Sequence, residues 1–186
     1  MRSFGLVTLL IGLTLLAGCA NNPTVKDGYH PELVSAYHLD AGDRVRVIVF
    51  GQTDLSNTYV VDQAGGLSMP LIGTLPARGH STAEVETEIA RRLSKGYVRS
   101  PDVSVEIDRY RPFFAMGEVT AAGQYPYVPG MTVQQAVAIA GGFTPRANTY
   151  AVQITRSIDG QVRTALLPLG DAVLPGDTIY VRERHF

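Results

Sequence analysis

The stretch YHLDAGDRVRVIVF, residues 37–50, joins a tight-turn motif to a strand pattern. From Arg44 to Val49 a valine occupies every second position, which is the period of a strand with one buried face. The Gly42-Asp43 pair before it is typical of a turn in which the aspartate side chain hydrogen-bonds the backbone of the turn itself. The stretch therefore predicts a turn followed by a half-buried strand at the start of the folded region.

The same order recurs near the other end of the chain, in LPGDTIYV at residues 174–181. We therefore predict two similar α+β units. Neither aspartate has a base, metal ligand or nucleophile near it in the sequence, so a structural role is a simpler hypothesis than catalysis. On this hypothesis an asparagine at position 43 keeps the acceptor of the turn and is tolerated. The expected structural turn residues, including a glycine pair that ends a helix, are Gly42, Asp43, Gly141, Gly142, Gly176 and Asp177.

Two helices are predicted, in STAEVETEIARRLSKG (residues 81–96) and TVQQAVAIAGG (residues 132–142). Each begins with a hydroxyl residue followed three positions later by Glu or Gln, which is the spacing of a capping box. Each carries its apolar residues on one face and ends at glycine. The helices indicate one α+β unit on each side of the middle of the chain.

Further strands are predicted from alternating apolar residues at 101–110, 151–156, 162–167 and 178–181. We also expect Gly65-Gly66 to form the turn of a hairpin that joins strands at 59–61 and 67–69. The overall fold class is α+β, with a β-rich unit over residues 37–110 and a second unit over residues 111–186. The join is expected near Tyr110–Pro112.

The amino terminus has the pattern of a secreted protein. Apart from Arg2, residues 1–18 carry no charge, and the apolar run from Phe4 to Gly18 is ~22 Å long as a helix. This run of about 15 residues is shorter than the ~20 residues of a typical spanning helix, and it matches the apolar region of a signal peptide. Small residues then precede Cys19, the single cysteine of the chain. We predict a signal peptide over residues 1–18.

The segment LLAGC resembles the lipobox of bacterial lipoproteins, which implies cleavage before Cys19 and lipid on its sulfur. Alanine rather than aspartate at position 20 implies sorting to the outer membrane. The alternative is an uncleaved anchor helix with an incidental cysteine. Residues 19–36 contain prolines and asparagines without a clear period, and we expect them to tether the fold to the lipid.

Charge and residue spacing argue against several classes of function. The net charge is −1, and about −2 after loss of residues 1–18, so no basic face for nucleic acid is indicated. The four histidines are scattered and never fall at metal-ligand spacing. No nucleophile elbow or phosphate loop is present. We therefore expect no catalytic residues, no metal and no cofactor, and a protein that is not an enzyme.

The stretch DRYRPFF, residues 108–114, mixes cationic and aromatic side chains. Such a cluster could stack on sugar rings, or it could pack its aromatic residues in a hinge between two domains. Arg109, Tyr110 and Arg111 are the candidate residues for contact with a sugar or a partner.

The mature chain resembles the polysaccharide export family of outer-membrane lipoproteins. Residues 37–107 contain the family order of Y-x-L-x-x-G-D, a glycine and a P-L-I-G segment, a threonine at the start of a helix, and P-x-V-x-V. Residues 116–156 are similar to the soluble-ligand-binding β-grasp (SLBB) module of this family, with G-x-V-x-x-x-G-x-Y, T-x-x-x-A and A-G-G-F-T. The matching residues of the first part are Tyr37, Leu39, Gly42, Asp43, Gly66, Pro70, Leu71, Ile72, Gly73, Thr82, Pro101, Val103 and Val105.

The resemblance implies a homo-oligomeric ring under the outer membrane, on its periplasmic face, that forms or lines a conduit for capsule polysaccharide or exopolysaccharide. It also implies docking onto an inner-membrane polysaccharide co-polymerase. Because the sequence stops at YVRERHF without an amphipathic helix, we expect a separate outer-membrane channel. The alternatives are a ligand-binding periplasmic lipoprotein of the β-grasp type and a wall-associated structural lipoprotein.

Overall fold

The structure, a computed structural model, describes residues 37–158 and 160–184. The predicted signal peptide over 1–18, Cys19 and the predicted tether over 19–36 lie outside the described residues. We refer to residues 37–110 as the first unit and to residues 111–184 as the second unit.

The first unit contains a small antiparallel sheet, a hairpin and one long helix. Its elements are β1 (Arg44–Val49), β2 (Asn57–Val60), β3 (Gly66–Met69), β4 (Gly73–Pro76), α1 (Thr82–Leu93) and β5 (Val103–Arg109). Strand β1 lies in the centre of the order β2-β1-β5 and is antiparallel to both neighbours. Its valines are buried and its alternate residues are exposed, as its period of two predicts.

Helix α1 begins at the predicted capping box. Ser81 accepts a hydrogen bond from the amide of Glu84, and the Glu84 carboxylate accepts one from the amide of Ser81. These bonds satisfy amides that the first turn of a helix leaves unpaired. Val85, Ile89 and Leu93 form the buried face, which packs against the first core.

The second unit is a five-stranded mixed sheet with one short helix. Its elements are β6 (Phe113–Gly117), β7 (Gly123–Tyr125), α2 (Val133–Ile139), β8 (Ala151–Ile158), β9 (Gln161–Pro168) and β10 (Thr178–Val181). The strand order is β7-β6-β10-β8-β9. The pair β6 and β10 is parallel, whereas the other neighbours are antiparallel. Strand β10 therefore occupies the centre of the sheet.

Helix α2 also begins at a capping box, formed by Thr132 and Gln135. Val133, Ala136 and Val137 are buried in the second core, together with residues of the sheet. The glycine pair follows the helix, with φ of 83° at Gly141 and 86° at Gly142. Left-handed backbone of this kind favours glycine because it lacks a Cβ atom.

Each unit has its own apolar core. The first core draws its fully buried residues from 39–105, and the second draws its residues from 113–181. The α+β fold class is confirmed by this arrangement of two helices and ten strands in the described part of the chain. The boundary after residue 110 stays a prediction.

The predicted hairpin between 59–61 and 67–69 is wrong in its pairing. A turn does form, because the Asp62 carboxylate accepts a hydrogen bond from the Gly66 amide at 2.8 Å. Strand β2, however, pairs with β1, and β3 pairs with β4. Each strand pairs with its neighbour on its own side of the turn, so the chemistry of this turn could not identify the partners.

The two units share the turn, the strand that follows it and a helix that begins at a capping box, but their sheets differ. Strand β1 has two antiparallel neighbours, whereas β10 has one parallel and one antiparallel neighbour. Strands β4, β6 and β7 were not predicted. Over residues 37–158 and 160–184, no helix has the length and apolarity needed to cross a membrane.

Candidate functional site at the junction of the two units

The two Gly-Asp turns have the same geometry. In the first, the Asp43 carboxylate accepts a hydrogen bond from the Asp40 amide at 2.8 Å, and the Asp43 amide donates to the Asp40 carbonyl at 3.1 Å. In the second, the Asp177 carboxylate accepts from the Leu174 amide at 2.8 Å, and the Asp177 amide donates to the Leu174 carbonyl at 3.2 Å. The central glycines, Gly42 and Gly176, have φ of 93° and 84°. Both turns thus use the aspartate side chain to close the backbone.

Both aspartates are fully buried, and each meets an arginine. Arg156 forms a two-pronged pair with Asp177, with Nε to Oδ1 at 2.8 Å and Nη2 to Oδ2 at 2.7 Å. Arg111 donates to Asp43 from its backbone amide at 2.8 Å and from Nη1 at 3.1 Å. A buried carboxylate needs such partners, because burial of an unpaired charge is very costly.

Arg111 also brings the two turns together. Its side chain lies so close to Gly176 that a Cβ atom there would be 2.6 Å from Nε of Arg111. Backbone hydrogen bonds also join the segment after Arg111 to the second turn: the Gly176 amide donates to the Pro112 carbonyl, and the Phe114 amide donates to the Asp177 carbonyl. Position 176 thus requires glycine for two reasons: its φ is positive, and a Cβ atom there would clash with the side chain of Arg111.

A chain of three tyrosines runs along this junction. Tyr37 and Tyr110 meet edge to face with ring centroids 5.0 Å apart, and Tyr110 meets Tyr127 in the same way at 5.4 Å. Tyr37 comes from the start of the first unit, Tyr110 from the join, and Tyr127 from the segment before α2. The tyrosine chain therefore spans both units.

Burial, hydrogen bonds and neighbouring charges shift the pKa values of groups in the junction. Burial raises the pKa of Tyr37 well above its usual range, and the hydrogen bond to Asp43 raises it further. Burial also raises the pKa of Tyr127. For Asp40, burial raises the pKa, but the Ala41 amide and Arg78 together outweigh it, and the pKa is lowered. The tyrosines are therefore neutral and Asp40 is ionised at neutral pH.

A cleft of about 690 Å³ opens at this point. We call it the junction cleft. The tyrosine chain lines it together with His38, Asp40, Arg78, Arg111, Arg156 and the turn residues Leu174 and Pro175. Its volume lies in the range of roughly 300–1,000 Å³ that is usual for small-molecule pockets.

The predicted site residues separate into groups. Tyr110 and Arg111 line the junction cleft, whereas Arg109 is exposed at the end of β5 and is not part of the lining. Phe113 is buried in the second core and stacks on Tyr125. Gly42, Asp43, Gly176 and Asp177 lie beside the cleft, and Gly141 and Gly142 lie at the end of α2. Their structural role stays a prediction.

Several residues of the junction were not predicted. Arg156 was missed although β8 contains a signal for it, since alternation from Val152 and Ile154 places position 156 on the buried face. A charged residue at a buried position needs an acidic partner, and Asp177 is that partner. For Tyr127 and Arg78 no signal in the sequence indicated the cleft. Across the part of the chain that the structure describes, no cluster of three or more His, Cys, Asp or Glu could hold a metal ion.

Comparison with known families identifies both units. The family of polysaccharide biosynthesis/export proteins matches residues 31–108, and the SLBB domain family matches residues 116–164. The chain carries a polysaccharide export domain followed by an SLBB domain. The predicted resemblance is thereby confirmed, and the junction cleft lies between these two domains.

Curated relatives agree with this assignment. The exopolysaccharide production protein ExoF of Rhizobium meliloti (strain 1021) is 39% identical over 118 residues, which cover 57% of this chain and 28% of the relative. Two polysialic acid transport proteins KpsD of Escherichia coli are each 22% identical over 143 residues, covering 76% of this chain and 25% of the relative. The chain thus spans about a quarter of the length of these relatives.

Proposed function

We propose that this protein is a component of a machine that exports capsule polysaccharide or exopolysaccharide. The observation that carries the proposal is the order of an export domain and an SLBB domain over residues 31–164. The names of the relatives, an exopolysaccharide production protein and two polysialic acid transport proteins, support it. The role is structural and not enzymatic, and needs no cofactor.

The proposed location is the periplasmic face of the outer membrane, with lipid on Cys19. The LLAGC segment and Ala20 support this location. Lipid burial contributes ~0.8 kcal/mol for each CH₂ group, so several acyl chains on one cysteine hold a protein on a membrane.

The anchor is tested by Cys19→Ser. The variant should escape metabolic labelling with fatty acid, keep its signal peptide and remain with the inner membrane. Labelling of Cys19→Ser at the level of the wild type would contradict the anchor. Ser3→Ala, a conservative change inside the predicted signal peptide that leaves the LLAGC segment intact, is the control and should be labelled normally.

The proposed assembly is a homo-oligomeric ring that forms or lines the conduit. Its partners are the polysaccharide, an inner-membrane polysaccharide co-polymerase and a separate outer-membrane channel. Nucleic acid is not a partner. A closed ring is the symmetric arrangement of copies that encloses a path for a polymer.

Gene deletion in the source strain tests the function. Loss of the protein should remove polysaccharide from the medium and the cell surface, and the wild-type gene should restore it. Normal secretion in the deletion strain would contradict the proposal. Mass measurement of the lipidated protein in detergent should give a large cyclic oligomer, whereas a strict monomer would contradict the ring.

A further inference from the structure

We propose that the junction cleft binds a sugar unit of the polysaccharide. This inference rests on the proposed function, and it assigns to the cleft a direct contact with the polymer. Three features of the cleft carry it: its aromatic lining, its balanced charge and the rigidity of its wall.

The first feature is the tyrosine chain. Tyr37, Tyr110 and Tyr127 are each only partly buried, so their rings contribute to the surface of the cleft. The carbon-bound hydrogens of a pyranose ring form an apolar face, and aromatic rings are large apolar surfaces that lose little conformational entropy on binding. A cleft lined in this way fits the flat face of a sugar.

The second feature is the balance of charge. Three arginines line the cleft, and each forms an ion pair with an aspartate: Arg78 with Asp40 at 2.9 Å, Arg111 with Asp43 and also with Asp40, and Arg156 with Asp177. Because Asp43 and Asp177 are fully buried, their arginine partners serve mainly to compensate them. The cleft therefore lacks the excess positive charge that binds phosphate groups.

The polar groups at the edge of the cleft suit hydroxyl groups instead. Asp40 and Arg78 are 30% and 48% exposed, and they place an acceptor and donors side by side. His38, also in the lining, adds a ring that can accept or donate. A sugar hydroxyl both donates and accepts hydrogen bonds, so it can pair with the acceptor of Asp40 and with the donors of Arg78.

The third feature is that the wall is held in place before any ligand binds. The hydroxyl of Tyr37 donates to Asp43 at 2.6 Å and accepts from Arg111 at 2.9 Å. Tyr110 then packs between Tyr37 and Tyr127. Aromatic groups that are already ordered cost less entropy to bind a ligand.

The test uses the full-length lipidated protein in detergent and isothermal titration calorimetry. The probe is a set of short oligosaccharides made by partial acid hydrolysis of the polymer that the source strain secretes. Inorganic phosphate is titrated separately. We expect the oligosaccharides to bind and phosphate not to bind.

Tyr110→Ala and Tyr127→Ala should each raise the Kd for the oligosaccharides by about tenfold, through loss of one ring. Tyr110→Phe retains the ring and should change the Kd by less than about threefold. Tyr150→Ala is the matched control, because Tyr150 is 88% exposed and lies outside the cleft; it should bind like the wild type. Thermal melting checks that each variant is folded, and if Tyr110→Ala is not, Tyr110→Leu replaces it.

The proposal is overturned if the oligosaccharides fail to bind, if phosphate binds in their place, or if the two ring deletions bind like Tyr150→Ala. The deletion strain separates this failure from failure of the proposed function. A strain that needs the gene for secretion, with a protein that binds no oligosaccharide, would refute the cleft as a sugar site and leave the export role intact. Normal secretion without the gene would refute the export role itself.

Discussion

At the scale of single residues, Asp43 and Asp177 are the buried charged side chains among the residues that the structure describes. The carboxylate of Asp43 accepts from Tyr37, from the Asp40 amide and twice from Arg111. All four of these groups, the Tyr37 hydroxyl, the two amides and Nη1 of Arg111, are hydrogen-bond donors. Asparagine replaces one acceptor oxygen by an NH₂ donor, which would face at least one of them. The expectation that Asp43→Asn is tolerated is therefore revised.

We predict that Asp43→Asn lowers the free energy of unfolding by about 2–4 kcal/mol, because it removes the nearer of the two carboxylates that pair with Arg111 and turns a donor toward donors. Asp54→Asn, an exposed aspartate of the same unit, should change it by less than about 0.5 kcal/mol. Urea unfolding of the two variants measures both values. Equal stability of the two variants would show that the network around Asp43 contributes little.

At the scale of elements, α1 is attached to the rest of the first unit by its apolar face, by Glu86, which accepts a hydrogen bond from the Val105 amide in β5, and by one arginine. Arg91 and Arg92 both pair with Glu88, at 2.7 and 2.6 Å. Arg92 also donates from Nη1 to the carbonyl of Thr74 in β4, at 2.7 Å. Only the second of these neighbouring arginines, therefore, connects the helix to the hairpin of β3 and β4.

Arg92→Ala should consequently destabilise the first unit more than Arg91→Ala. Loss of an exposed pair within a helix costs about 0.3–0.5 kcal/mol, and loss of the bond to Thr74 adds about 1 kcal/mol. Thermal unfolding of the two variants provides the comparison, and each serves as the control for the other. A larger effect of Arg91→Ala would mean that the contact with Thr74 does not stabilise the fold.

At the scale of the whole molecule, the two units meet through Arg111. Its side chain reaches the turn of the first unit at Asp43 and passes over Gly176 in the turn of the second unit. The tyrosine chain crosses the same junction. Each unit has a separate core, so coupling between them depends on these contacts.

We predict that the wild-type protein unfolds in one calorimetric transition and that Arg111→Ala unfolds in two. The variant removes the side chain shared by both turns and leaves Asp43 with one fewer charged partner. Arg109→Ala, an exposed arginine two residues earlier, is the matched control and should retain one transition. If Arg111→Ala also unfolds in a single transition at the temperature of this control, the units are coupled by other contacts.

The amino-acid sequence alone determined the elements whose signals are local. Helix caps at Ser81 and Thr132, the alternating strands β1 and β10, and the two Gly-Asp turns depend on residues within a few positions of each other, and all were predicted. Tyr110 and Arg111 were also identified as candidate site residues, because a mixed aromatic and cationic cluster is visible in the chain itself.

Only the tertiary structure decided which strands pair and which side chains form the junction cleft. Strand β2 pairs with β1, the strand before it, instead of β3, and β10 inserts between β6 and β8, because burial of the two cores selects the partners and the intervening turns do not. Asp43 meets Arg111 across 68 positions, and Asp177 meets Arg156 across 21. Such pairs have no fixed spacing, since they arise from compensation of buried charge wherever folding brings the two residues together.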